Sequence, residues 1–331
     1  MSVIMSASFF DGVLAFLVAF ATALLLGKPM IYFLQRLKIG QMIQTFDGFL
    51  LGSLHKDKKD TPTMGGILII VATAVSCCVF ADLSCFEVRI LMSTLLLFGA
   101  LGACDDFGKM LSKSSKGLSS KIRLVAESGI AIAVIWSFSK EVSPREIFTP
   151  FNCKILVCSG LLLMFLQWFT IVGSANAVNL TDGLDGLATG LCSIASLPLI
   201  FFAIYSVNTP QIAICLSALC GASLGFLWFN THPGSVFMGD TGSLALGGML
   251  GVSAVLMGGE WLLALTGLVF VIETLSVIIQ VISFKMTKKR LFRCTPLHHH
   301  FEYLGIPEER VVVRFWILGL ILALLGICSF I

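Results

Sequence analysis

The sequence has 331 residues, of which 57% are hydrophobic and only 12% charged, and its net charge is +3. Soluble domains usually carry about 25% charged residues, so this chain has too few ionic groups to cover a water-facing surface. The small net charge gives no indication of nucleic-acid binding, and we expect no nucleic-acid partner. The composition therefore excludes an ordinary soluble domain and indicates a protein embedded in lipid.

The apolar residues occur in long continuous runs, not in short alternating ones. Each segment in lipid must satisfy its own backbone hydrogen bonds, and about 17–25 apolar residues are enough to cross a bilayer as a helix. The pattern predicts an all-α membrane bundle that forms one domain over residues 1–331. We predict ten spans, at residues 12–34, 64–82, 88–104, 124–140, 154–174, 187–205, 212–229, 242–257, 261–284 and 311–331.

The cations fall almost entirely on one face of this bundle. Cytoplasmic loops are enriched in Lys and Arg, so the rich face is predicted to be cytoplasmic and both termini to lie outside. The first cation, Lys28, follows the first apolar run, which is the reverse of a secretory signal peptide, so we expect an uncleaved first span. Only four of the 22 Lys and Arg residues are expected outside, namely Arg89, Lys140, Arg145 and Lys154.

The eleven cysteines do not indicate a disulfide framework or a metal site. Most lie inside apolar runs, where a thiol packs as a small hydrophobic group, and they lack the spacing of metal ligands. The cysteines in apolar runs are Cys77, Cys78, Cys158, Cys192, Cys215 and Cys220.

Carboxylates gather at the predicted cytoplasmic face, and charged groups beside hydrocarbon usually mark function. In the first cluster, Asp105 and Asp106 are adjacent at a span end, and Lys109 follows one turn later. Neighbouring helical side chains point about 100° apart, so one aspartate can bind a metal while the other orients a nucleophile. The alternative is an interfacial charge cluster in which these aspartates pair with Lys109 and Lys113.

Two further clusters follow. Asn176, Asn179, Asp182 and Asp185 recur every three residues and would share one face of a helix. Asp240 lies between glycines at the mouth of a span, where its carboxylate suits a hard cation. Nearby, Phe237 could stack on a flat ring, but the chain has 27 phenylalanines, so by itself this residue is better explained by packing.

The last cluster is the run His298-His299-His300. Zinc sites usually space helical histidines three or four residues apart so that they share a face, which consecutive histidines cannot do. We therefore interpret the run as phosphate-binding or proton-handling, with a zinc site as the alternative.

Taken in order, these motifs resemble the bacterial phospho-N-acetylmuramoyl-pentapeptide-transferases (translocase I), within the polyprenyl-phosphate sugar-1-phosphate transferase superfamily. The resemblance covers nearly the whole chain and includes the ten spans. One departure is Asp60, where the family usually has glycine, in the loop that carries Lys58. The resemblance rests on Asp105–Lys109, Asn176–Ala188, Gly239–Ser243 and Pro296–Glu302, with Thr61–Gly66 upstream.

The resemblance implies an Mg2+-dependent reaction of peptidoglycan synthesis. Phospho-MurNAc-pentapeptide would pass from UDP-MurNAc-pentapeptide to undecaprenyl phosphate, giving lipid I and UMP. The expected location is the bacterial cytoplasmic (inner) membrane, among membrane lipids, with the active site on the cytoplasmic face. Whether transfer is direct or passes through a phospho-aspartyl intermediate stays open, and so does oligomeric state, for which a homodimer is one expectation.

The same resemblance implies roles for individual residues. Asp240 is the expected magnesium ligand, and Asp105 or Asp106 would deprotonate the lipid phosphate. Asp185 and Phe237 would hold the uracil. The expected catalytic residues are Asp105, Asp106, Asp182, Lys109, Lys121, His298 and His299. The expected substrate-binding residues are Lys58, Thr63, Asn176, Asn179, Asp185, Asn230, Phe237, Gln280 and His300.

Two other functions are compatible with these residues. One is a polyprenyl-phosphate transferase that uses UDP-N-acetylglucosamine. The other is a transporter or channel, in which carboxylates near mid-span are expected. The acidic residues gather at one face, and only Glu127 and Glu273 approach mid-span, where Glu273 is the better candidate for a structural pair.

Overall fold

The computed structural model describes residues 2–37, 61–112, 117–139, 146–149, 153–156 and 160–330. Over these residues the chain forms helices and one antiparallel β-hairpin. The helices are α1 Ser2–Arg36, α2 Gly66–Phe80, α3 Phe86–Leu111, α4 Ser120–Ser139, α5 Gly160–Thr181, α6 Leu187–Tyr205, α7 Pro210–Asn230, α8 Gly239–Met257, α9 Glu260–Thr266, α10 Leu268–Thr287, α11 Leu297–Tyr303 and α12 Glu308–Cys328, and the strands are β1 Glu146–Thr149 and β2 Cys153–Leu156.

The predicted all-α membrane bundle is confirmed, and each of the ten predicted spans overlaps at least one helix. The span predicted at 261–284 is broken into α9 and α10, and the span predicted from residue 154 starts later, because residues 153–156 form β2. Eight of these helices are long and apolar enough to cross a membrane. Of the others, α2 has only 15 residues, and α4 begins with three charged residues, Lys121, Arg123 and Glu127. The sequence did not predict the hairpin, and α3 continues past the predicted end at residue 104, so its aspartates are helical.

The helix that carries Asp240, α8, lies at the centre of the bundle. It packs against α2, α3, α5 and α6, and nearly all of its residues are buried. Its many Gly, Ala and Ser residues allow neighbouring backbones to approach closely. A Cβ atom at Gly102 of α3 would collide with the backbone carbonyl of Asp240, so α3 and α8 touch where the acidic residues lie.

The hairpin lies at the opposite end of α8 from Asp240. The amide of Phe148 donates to the carbonyl of Gly258, which follows the last turn of α8, at 2.9 Å. At 1.5 Å rise per residue, about 27 Å separates the two ends of this helix, close to the thickness of a bilayer core. The hairpin and the acidic cluster are therefore at opposite ends of the bundle.

Candidate active site

Asp240 is the hub of a polar network in the first turn of α8. Its Oδ2 atom lies 3.0 Å from Lys109 Nζ and 3.2 Å from a guanidinium nitrogen of Arg123. Its Oδ1 atom accepts a hydrogen bond of 2.9 Å from the Asn179 amide. Lys109 also pairs with Asp105 at 2.6 Å, so the first, second and third predicted clusters meet here.

Asp106 faces the backbone at the start of α8. It accepts hydrogen bonds from the amides of Asp240 and Thr241 at 3.2 and 3.0 Å, and from the Thr241 hydroxyl at 2.7 Å. The first amides of a helix have no hydrogen-bond partner within the helix. A carboxylate at this position accepts their hydrogen bonds and interacts favourably with the helix dipole. Asp106 thus caps α8. Gly239, with φ of 73°, allows the backbone to pass close to the Asp106 carboxylate.

The segment before α2 is hydrogen-bonded to the residues that precede α8. Gly65 and Gly66 donate their amides to the carbonyls of Phe237 and Met238 at 2.8 and 2.9 Å, and Phe237 donates back to Pro62 at 2.8 Å. Thr63 is buried in this segment, close to Gly239. The entry to Asp240 is therefore braced by α3 on one side and by the Thr61–Gly66 segment on the other.

Arg123 and Glu127 belong to the network, although the sequence did not identify them as site residues. Arg123 also contacts the Asn176 amide oxygen at 3.2 Å and Glu127 at 3.5 Å, while the Asn176 amide donates to Glu127 at 2.5 Å. Glu127 is fully buried. The sequence does contain a signal for them, an Arg–Glu pair at i,i+4 spacing at the start of an apolar span, where charged groups are costly.

Lys121 does not join these contacts. It is exposed on the first turn of α4, and among the described residues it is Arg123 that reaches Asp240. Lys58 lies outside the described residues, so its predicted role is not tested.

The three-residue spacing of the second cluster does not place its four members on one helical face. Helix α5 ends at Thr181, so Asn176 and Asn179 are helical, while Asp182 and Asp185 lie in the turns that follow. Asp182 is half-buried, and its pKa is held well above the usual range, first by burial and then by the nearby carboxylates of Asp240, Asp106 and Asp185. Ending the helix here lets Asp185 turn away from Asp240.

Asp185 belongs to a second acidic group. One of its oxygens accepts the Gly234 amide at 3.0 Å and lies 3.1 Å from His232 Nδ1, which is also 3.3 Å from Glu308. Ligand atoms of Asp185, His232 and Glu308 all lie within 4.8 Å of one another, which is close enough to share a metal ion. The imidazole of His232 lies between the two carboxylates.

The histidine run forms α11, beside the loop of Asp182 and Asp185. His298 is fully buried, its amide donates to Glu273 at 3.1 Å, and its ring lies 3.3 Å from the same carboxylate. His299 lies 2.8 Å from Glu302. A Cβ atom at Gly183 would collide with the Nε2 atom of His298, so the fourth cluster lies against the second.

Three predicted substrate-binding residues hold loops in place. Asn230 accepts the Gly186 amide at 3.1 Å and donates to the Val236 carbonyl at 2.9 Å, which joins α6, α7 and the entry to α8. Gln280 makes hydrogen bonds of 2.9 Å with backbone groups of Leu291 and Phe292. The His300 ring accepts the Arg293 amide at 3.2 Å.

Comparison with protein families confirms the resemblance. The model of glycosyl transferase family 4 matches residues 88–258, which include Asp105, Asp106, Lys109 and Asp240. Signature 1 of phospho-N-acetylmuramoyl-pentapeptide-transferase matches residues 58–70, which include the Thr61–Gly66 segment beside the start of α8. The chain therefore belongs to glycosyl transferase family 4, as a membrane transferase that carries the phospho-N-acetylmuramoyl-pentapeptide-transferase signature and moves a phospho-sugar in peptidoglycan synthesis.

Proposed function

We propose that this protein transfers phospho-MurNAc-pentapeptide from UDP-MurNAc-pentapeptide to undecaprenyl phosphate, forming lipid I and UMP at the inner face of the bacterial cytoplasmic membrane. One observation carries the proposal: the signature segment is hydrogen-bonded to the residues that lead into Asp240, the hub of the charged network. A site at the end of a membrane bundle can meet both a water-soluble donor and a lipid acceptor.

In the proposed reaction, an oxygen of the lipid phosphate attacks the donor phosphorus that bears the sugar. The bond between that phosphorus and the bridging oxygen breaks, and UMP leaves with the oxygen. Such transfers depend on positioning and on cations that stabilise the spreading negative charge. Lys109 and Arg123, beside Asp240, are placed to supply that charge.

The two adjacent aspartates are suited to different tasks. Asp106 accepts three hydrogen bonds from α8, and these occupy both oxygens of its carboxylate. Asp105 accepts the Leu118 amide at 2.7 Å and pairs with Lys109. We therefore assign proton removal from the lipid phosphate to Asp105, and the holding of α8 to Asp106.

The residues at Asp240 fit a magnesium ion. The carboxylates of Asp240 and Asp105 both contact Lys109 and offer oxygen ligands, which Mg2+ prefers. Lys109 and Arg123 neutralise the Asp240 charge in this structure. Asp185, His232 and Glu308 include an imidazole and suit Mg2+ less well. When bound at Asp240, the ion would neutralise phosphate charge and polarise the phosphorus–oxygen bonds.

The decisive experiment incubates the purified protein with UDP-MurNAc-pentapeptide and undecaprenyl phosphate and measures UMP and the lipid product. A parallel reaction with UDP-N-acetylglucosamine tests the alternative donor. We expect UMP and lipid I with the first donor only. Product from the second donor alone would replace this proposal with the related transferase.

A further inference from the structure

The guanidinium of Arg123 contacts three side chains of the site. One guanidinium nitrogen lies 3.2 Å from Asp240, the second 3.2 Å from the Asn176 amide oxygen, and Nε lies 3.5 Å from Glu127. A guanidinium has five N–H donors in a planar fork, so these three contacts leave two donors for a ligand. The side chain is 23% exposed, so a soluble ligand can reach it.

Glu127 and Asn176 form the back of this arrangement. The Asn176 amide nitrogen donates to Glu127 at 2.5 Å and to the Val172 carbonyl at 3.0 Å, while its oxygen faces Arg123. Both polar atoms of the Asn176 side chain are thus engaged in hydrogen bonds. Glu127 is fully buried, and burying a carboxylate is costly unless it is paired. The pair fixes the orientation of the Arg123 guanidinium.

Arg123 and Lys109 flank the same oxygen of Asp240 from two different helices. Two cations converging on one partly exposed point form a binding place for an anion, and planar arginine donors suit phosphate oxygens. The donor of the proposed reaction brings its pyrophosphate to this point.

We propose that Arg123 binds an oxygen of the donor pyrophosphate beside Asp240, and that Glu127 and Asn176 are positioning residues that hold its guanidinium there. This inference rests on the proposed function for its substrate class, a nucleoside diphosphate sugar. Arg123 is a cation that the resemblance did not name, whereas Lys121, which it named as catalytic, is exposed on the first turn of α4.

Binding measurements test the contact without relying on turnover. Affinities for UDP and for uridine are measured in Mg2+ buffer with the wild type, Arg123→Gln and Arg123→Lys. We expect Arg123→Gln to weaken UDP binding about ten- to hundredfold, as for the loss of one charged hydrogen bond, and to leave uridine binding unchanged. The UDP affinity of Arg123→Lys should lie between those of the wild type and Arg123→Gln, because lysine keeps the charge but lacks the planar set of donors of a guanidinium. The matched control is Arg314→Gln, an exposed cation of α12 that should change neither affinity.

A double-variant comparison separates phosphate binding from a purely structural ion pair. Arg123→Gln leaves Glu127 buried without its cation, so the melting temperature in detergent should fall, and adding Glu127→Gln should restore it. We expect the double variant to remain weak for UDP although it is stable. Glu127→Gln alone should raise KM for the donor, and this effect should disappear in the Arg123→Gln background.

Two results would overturn the inference: wild-type UDP affinity in Arg123→Gln, or recovery of UDP affinity together with stability in the double variant. Failure of the proposed function has a different signature, because the wild type itself would then give no UMP with the MurNAc donor. An active wild type with an unaffected Arg123→Gln variant contradicts only the role of Arg123.

Discussion

The carboxylate of Asp106 on α3 accepts the hydroxyl of Thr241 on α8 at 2.7 Å, and also its amide at 3.0 Å. The two residues are 135 positions apart in the chain, yet this contact fixes where the helix that carries Asp240 begins. One member of the adjacent aspartate pair therefore serves the geometry of the site, while the other faces Lys109.

Thr241→Val should lower stability because it removes the hydroxyl donor while keeping the side-chain shape. We expect a loss of about 1 kcal/mol, the usual worth of one hydrogen bond, seen as a lower melting temperature in detergent. Thr241→Ser is the matched control, since it retains the hydroxyl. Equal melting temperatures for the Val variant and the wild type would contradict the capping role of Asp106.

Asp240 and Asp185 should differ in kinetic effect. Asp240→Asn keeps the shape but removes the charge that a hard cation needs, so it should lower kcat by about a hundredfold or more and weaken Mg2+ activation. Asp185→Ala should mainly raise KM for the UDP donor, because Asp185 lies away from Asp240 in a separate group. Equal loss of kcat in both variants, with unchanged donor affinity, would instead place Asp185 among the catalytic residues.

Chelation should abolish turnover, and Mg2+ or Mn2+ should restore it, whereas Zn2+ should not, because the ligands at Asp240 are oxygens. His232→Gln distinguishes the two acidic groups. If the metal lies at Asp240, this variant should keep the wild-type Mg2+ concentration for half-activation. A large increase in that concentration would move the metal to Asp185, His232 and Glu308.

Asp182 should make the stability of the fold fall as the pH rises from acidic values. Its pKa is raised in the folded protein, so the fold favours the protonated form. Its contribution to stability is complete below the unfolded pKa of about 3.9 and is lost as pH rises through the folded pKa. Asp182→Asn mimics the neutral form, so the melting temperature of the variant relative to the wild type should rise with pH above about 4. A constant difference between pH 4 and 9 would contradict this.

The predicted orientation is tested with single cysteines in a background without native cysteines. A cysteine at Lys288 should react with an impermeant thiol reagent only after permeabilisation, because positive loops lie in the cytoplasm. A cysteine at Lys140 should react on intact cells. Labelling of position 288 on intact cells would invert the bundle.

Sequence alone determined the membrane class and the helical bundle, because apolar length and the demand for internal hydrogen bonds leave few options. It also singled out Asp105 and Asp240, since carboxylates beside hydrocarbon are expensive, and the structure brings both into contact with Lys109. Periodicity misled at Asp182 and Asp185, because local spacing does not show that α5 ends at Thr181.

Tertiary structure alone decided which residues share a contact. Lys121 and Arg123 are both cations at the start of α4, and only the packing of α4 against α5 directs Arg123 to Asn176 and Asp240. In the same way, Asp105 and Asp106 look equivalent in the chain, but they point in different directions from α3. One meets Lys109 and the other meets the start of α8, because adjacent helical side chains project about 100° apart.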